Sequence, residues 1–291
     1  MYERLAKGYA TEYVQQKADH SCIQEWIESP QRTQAFNKFV LASQMENEGR
    51  VLEQMAPLIH PPFSKPFIPY PWSKNFKSVS AQLVSAAPET DVFDVSDDDR
   101  AQYSEKSVFL NNLLYVATQE KLDATMHTVA NICHHAIMRL LQRGVASTDT
   151  LEGQVGVVMS VARDLAHIFQ WASMSQKDSQ EFMIPYSGGA LAIRTLKVRP
   201  MVKSPYHNDH WVFSVRTFLD QSMLKPADHE RMAGLEVSEE GHMTLSWLGR
   251  SRQMRRGLLE EADVNHLKGW LKANARPSRS RQVVSDDTDQ S

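Results

Sequence analysis

Apolar residues along most of this chain recur at three- and four-residue intervals, the spacing of one face of an α-helix. Leu5, Tyr9, Tyr13 and Val14 mark such a face in the opening segment. Ser21, with Gln24 three residues on, forms a capping box for a short helix that Pro30 ends. Phe36, Phe39 and Val40 line the next helix, and Gly49 is its natural stop. The pattern resumes at Phe76, Val79, Leu83 and Val84, where Pro88 closes a further helix. From about 104 to 143 the spacing predicts nearly continuous helix, with a stripe of Met126, Val129, Cys133, Ile137 and Leu140 or Leu141. A second long helix is predicted from about 148 to 174 through Leu151, Val155, Val158, Ala162, Leu165 and Phe169. These two are expected to pair antiparallel as the centre of the core.

Two stretches break the pattern. Residues 57–72 hold prolines at 57, 61, 62, 66, 69 and 71, interleaved with Phe63, Phe67, Tyr70 and Trp72. Proline at that density forbids helix and disfavours a central strand. An extended arm is expected there, packing its aromatic rings on the protein's own core or on a neighbouring subunit. Beyond residue 174, β-branched and aromatic residues flank Ser187-Gly188-Gly189, a hairpin signal. Residues 235–247 alternate about Glu239-Glu240-Gly241 and predict a second hairpin. Between them, Val212, Val215, Phe218 and Leu219 favour helix over strand. Residues 251–274 predict a last helix, and 275–291 have too little apolar content to fold.

The expected fold is therefore mainly α, in five parts: N-terminal helices over 1–56, the arm over 57–72, a helical core lobe over 73–175, a smaller α+β lobe over 176–274, and a disordered C-terminal tail over 275–291.

Composition narrows the function. Of 291 residues, 42% are hydrophobic and 23% charged, which excludes wholesale disorder. A net charge of −3 excludes a histone-like binder, so any nucleic-acid site has to be a local patch. Only two cysteines, Cys22 and Cys133, argue against a disulfide scaffold and fit a reducing compartment. The opening segment lacks the apolar run of a signal peptide and no stretch reaches membrane-spanning length, so a cytoplasmic or intracellular protein is expected. The acidic stretch 89–105 lacks the alternating ligands and glycine turn of a calcium loop.

Three chemical candidates stand out. His207 and Asp209 form an H-x-D pair; with His242, and Arg252 ten residues later, it is similar to the metal motif of the iron and 2-oxoglutarate dioxygenases. That resemblance implies a metal-dependent enzyme on a double-stranded β-helix, whereas the chain upstream reads helical, and a turn or capping role for Asn208 and Asp209 is the simpler reading. Cys133, His134 and His135 adjoin on a predicted helix, where neighbours point about 100° apart, so they do not converge on one ion, and Cys133 belongs to the apolar stripe. The third candidate is basic. Arg194, Lys197, Arg199, Lys203 and Arg216 lie near Tyr186, Tyr206 and Trp211, and Arg250, Arg252, Arg255 and Arg256 open the last helix. Cations neutralise phosphates while aromatic rings stack on unpaired bases. On one strand face, Lys197, Arg199 and Lys203 fall together and Arg194 does not.

These residues favour a non-enzymatic, self-assembling nucleic-acid-binding structural protein of the nucleocapsid or coat-protein kind. It would bind RNA before DNA, form homo-oligomers through Phe63, Phe67, Tyr70 and Trp72, and need no cofactor and no membrane. A DNA-binding regulator or accessory protein of a mobile element is the first alternative; an enzyme using His207 and Asp209 is the second.

Overall fold

The computed structural model describes residues 2–17, 77–93, 103–117, 122–143, 150–171, 180–200, 210–238, 243–247, 250–253 and 261–277. Its elements run α1 (Glu3–Lys17), β1 (Lys77–Phe93), β2 (Tyr103–Ala117), β3 (Leu122–Cys133), α2 (His134–Gln142), α3 (Leu151–Trp171), β4 (Gln180–Tyr186), β5 (Gly189–Pro200) and β6 (His210–Asp220). A 3₁₀ turn at Gln221–Met223 leads to α4 (Pro226–Met232), β7 (Leu235–Val237), β8 (Met243–Trp247), β9 (Arg250–Gln253), α5 (Glu261–Asn274) and β10 (Arg276–Pro277).

The expected mainly α class, and an all-α core, do not hold. About half of the described residues are strand, and the centre of the molecule is a closed five-stranded barrel. Around it the order is β1-β2-β3-β6-β5, and β5 closes back onto β1 through Thr90 to Phe93 against Lys197 to Pro200. All neighbours are antiparallel except β3 and β6, so the barrel is mixed. The first half of β5 pairs instead with β4, whose far edge meets β10. β7, β8 and β9 form a separate three-stranded sheet.

Three predicted helices are thus strands. The one ending at Pro88 is β1, and the register slips between Ala87 and Thr90, a bulge that absorbs a proline unable to donate to the ladder. Most of the helix predicted over 104–143 is strand, β2 and β3; among its described residues only His134–Gln142 is helical. Residues 210–220, where helix was favoured, form β6. The predicted antiparallel helix pair accordingly does not exist. α1, α3 and both short hairpins do form; of the last helix predicted over 251–274, Glu261–Asn274 is helical, whereas Arg250–Gln253 is strand.

Strands misread as helix have a physical origin. These strands are buried on both faces, so Val108, Phe109 and Leu110, three in a row, are all buried and no two-residue alternation shows. The outer face packs on Ala6, Ala10, Tyr13 and Val14 of α1, on Ala136, Ile137 and Leu140 of α2, and on Val155, Val158, Ala162 and Leu165 of α3. Inside, Ala87, Val92, Phe109, Leu196, Val198 and Val212 form one apolar cluster. Beside it, the interior is polar.

A ladder of hydrogen bonds crosses that interior. Asn111 Nδ2 donates to Ser85 Oγ at 2.8 Å, and Thr128 Oγ1 donates to Asn111 Oδ1 at 2.8 Å. Asn131 Nδ2 donates to Ser107 Oγ at 3.2 Å, and Ser107 in turn to Glu105 Oε1 at 3.1 Å. Every one of these residues except Glu105 is buried. Small polar side chains fit a five-stranded barrel, too narrow for anything but side chains. On the page, serines, asparagines and threonines at core positions look like the solvent side of a helix.

Among the described residues, no helix is long and apolar enough to cross a membrane.

Candidate nucleic-acid interface

Strand β5 sets the geometry of the first basic cluster. Leu196 and Val198 turn into the barrel, so Lys197 between them turns outward. The Lys197 ammonium lies 5.6 Å from the centroid of the Phe93 ring, its register partner on β1. Its register partner on the other side, on β6, is Trp211. Arg199, two residues along the strand, is the register partner of Asp91 on β1. Lys197 and Arg199 therefore share a strand face flanked by an aromatic position on each neighbouring strand. Arg194 lies on the opposite face, between Glu181 on β4 and Ser214 on β6, and is engaged within the protein.

Arg216 does not belong to this surface. Its guanidinium reaches across the barrel from β6 to β2, donating from Nη1 to Glu105 Oε1 at 2.6 Å and from Nη2 to Glu105 Oε2 at 2.7 Å. Nη2 also donates to Tyr103 Oη at 2.8 Å, and Nη1 to Ser214 Oγ at 3.1 Å. Burial opposes the charge on Arg216, and Cys133, the Glu105 carboxylate and Tyr103 together more than restore it, so the guanidinium stays protonated at any working pH. A fork so matched to one carboxylate is a structural lock, which removes Arg216 from the phosphate-binding set.

The cysteine–histidine triplet is resolved by the same end of the barrel. Cys133 closes β3 and precedes the first turn of α2, so it is not in mid-helix. Its thiol donates to the Arg216 carbonyl oxygen at 3.3 Å, and burial pushes its pKa up to about 11. At neutral pH it is a protonated, enclosed thiol rather than a nucleophile. His134 Nε2 and Thr11 Oγ1, 3.0 Å apart, tie α2 to α1. Desolvation lowers the pKa of both His134 and His135, and Arg139 adds to the effect at His135.

Among the described residues, no three histidines, cysteines or carboxylates converge to hold a metal ion. His207, Asp209 and His242 lie outside the described residues, as do Lys203, Tyr206, Arg255, Arg256 and the arm residues Phe63, Phe67, Tyr70 and Trp72. Arg250 and Arg252 fall on β9, opposite Trp247 and Leu245 of β8, and so begin a strand rather than opening the last helix. Tyr186 is buried on β4.

Sequence reasoning missed the Glu105–Arg216 pair, which joins residues 111 positions apart. The only signal for it was an isolated arginine inside an apolar strand.

No known protein family, curated protein or solved structure matches this chain.

Proposed function

We propose that this chain is a non-enzymatic, self-associating nucleic-acid-binding protein of the nucleocapsid or coat type. It holds single-stranded RNA along the outward face of β5, where β1 and β6 flank it. The alignment of Lys197 and Arg199 on one strand face, with Trp211 at the neighbouring register position on β6, carries this reading. Lysine and arginine two residues apart on a strand stand about 7 Å apart, close to the spacing of successive phosphates in an extended single strand. Trp211 supplies the residue type on which an unpaired base stacks. Five-stranded barrels are a known architecture for oligonucleotide binding, which supports the reading as analogy only.

The test is fluorescence anisotropy with a labelled single-stranded RNA at two salt concentrations. Lys197→Glu replaces a cation with an anion in the contact and is expected to weaken binding about tenfold or more and to lower the salt dependence. Replacing Arg252, Arg255 and Arg256 together with Glu is expected to weaken it further. Unchanged affinity in Lys197→Glu would remove the β5 face from the interface. Tighter binding to a duplex than to a single strand would favour the DNA-regulator reading instead.

A further inference from the structure

Helix α1 carries two apolar faces where the spacing of its sequence suggests one. Ala6, Ala10, Tyr13 and Val14 are buried in the main core cluster. Tyr2, Leu5 and Tyr9 stand in solvent at 83%, 54% and 52% exposure. The Tyr2 carbonyl oxygen accepts from the Ala6 amide at 3.0 Å, so the first helical turn already includes Tyr2. Spacings of three and four place these three side chains in one stripe along the helix. The other exposed large apolar side chains among the described residues, Tyr103 and Met223, lie singly on other elements. Single exposed apolar residues are ordinary, whereas an aligned group marks a contact surface.

Charge selects a second copy of this chain as the occupant. Arg4, Gly8 and Glu12, each four residues from the next, form the adjoining row, and all three border one groove. A Cβ on Gly8 would meet nothing within 4 Å, so the helix backbone lies open there to close approach. Glu12 accepts a hydrogen bond from Gln16 Nε2 at 3.2 Å. Neither Glu12 nor Arg4 has an ion-pair partner among the described residues. Antiparallel pairing of two α1 helices that sets Leu5 over Tyr9 brings Arg4 of one copy within about 3 Å, along the axis, of Glu12 of the other. The two-fold symmetry repeats that pair. Parallel pairing would set arginine against arginine and glutamate against glutamate. On the solvent side the carboxylates Glu3 and Glu12 balance Arg4 and Lys7, while Lys17 is tied to Glu152 of α3 at 2.7 Å. A surface so balanced favours neither a cationic nor an anionic foreign partner, and it matches its own copy.

We propose that α1 is a self-association surface of this chain, pairing antiparallel with α1 of a second copy through Tyr2, Leu5 and Tyr9, with Arg4 and Glu12 bridging between the copies. This pairing rests on the self-associating part of the function proposed above and needs no nucleic acid. One helix pair buries less than the ~1,200 Å² of a stable interface, so the dimer is weak, dissociating at about 10–500 μM. A weak contact of this kind gains strength where many copies share one polymer.

The test is sedimentation velocity of the nuclease-treated full chain at low salt, from about 5 to 500 μM. A reversible monomer–dimer equilibrium is expected. Leu5→Asp and Tyr9→Asp, both at exposed positions, should weaken it at least about tenfold with unchanged thermal midpoints. Arg4→Glu should weaken it severalfold, and Arg4→Glu combined with Glu12→Arg should restore it. Lys197→Glu should leave it as it is. A monomer at every concentration would overturn this surface and the self-associating part of the function together, whatever RNA binding shows. A dimer untouched by Leu5→Asp and Tyr9→Asp would overturn the α1 surface alone. A thermal midpoint lowered by more than about 5 °C in either variant would mean that the chain covers the stripe itself, and would overturn the choice of occupant. No recovery in the charge-swapped double variant would overturn the antiparallel pairing.

Discussion

Ser187 is a non-glycine residue with a positive φ, 44°, followed by Gly188 at 74°. Together they make the two-residue turn between Tyr186 and Gly189, whose backbone twist matches that of the flanking strands. Asparagine tolerates the left-handed region better than serine, so Ser187→Asn is expected to stabilise the protein by about 0.5 kcal/mol, read as a rise in the urea midpoint. Gly189 is constrained differently. A Cβ there would fall well inside contact distance of the Leu219 carbonyl oxygen and the Phe218 ring. Gly189→Ala should cost about 1–3 kcal/mol through overpacking, and an unchanged midpoint would contradict the close approach of β5 to β6. At Cys133, the buried thiol should resist iodoacetamide in the native protein at pH 8 and react in urea, read by peptide mass spectrometry. A thiol whose pKa rises on folding stabilises the fold while protonated. That contribution is complete below its ordinary value of 9.0 and is lost as pH climbs towards about 11.

At the scale of elements, the Glu105–Arg216 pair joins β2 to β6 across the barrel, and both side chains are mostly enclosed, at 14% and 21% exposure. Removing one partner leaves the other charge stranded in the interior, so Arg216→Ala is expected to cost about 3–5 kcal/mol. Replacing both with apolar residues, Glu105→Leu with Arg216→Met, should recover much of that loss. Equal destabilisation by the single and double variants would mean that the pair is less enclosed than described. The α1–α2 junction responds to pH instead. Desolvation holds the His134 pKa below its ordinary 6.5, so its contribution is present above that value and is lost as pH falls through the lowered one. The thermal midpoint should drop on acidification, less steeply in His134→Gln. Turns and isolated helices were legible in the sequence because their signals are local: Ser187-Gly188-Gly189 for the hairpin, and the stripe from Leu151 to Leu165 for α3. The barrel was not, because Ser85, Ser107, Asn111 and Asn131 occupy core positions and hydrogen-bond there in pairs, Asn111 to Ser85 and Asn131 to Ser107. Their partners lie 24 and 26 residues apart, beyond any window of periodicity.

For the whole molecule, the barrel alters the candidate surface more than it alters the case for function. Net charge is slightly negative, so binding of a polyanion depends on where the cations are held. Folding takes Arg216 inside, turns Arg194 away from Lys197, and leaves Lys197 and Arg199 on a common strand face. The odd spacing of Arg194 from Lys197 already separated the two in the sequence. Only its isolation inside an apolar strand marked Arg216 as different from its basic neighbours. The claim that this chain assembles around nucleic acid is tested most directly by the 260 to 280 nm absorbance ratio across a size-exclusion profile of the untreated purified protein. A protein assembled around nucleic acid gives a high ratio in a large peak that shrinks as salt is raised. A clean protein spectrum in a monomer peak would contradict it.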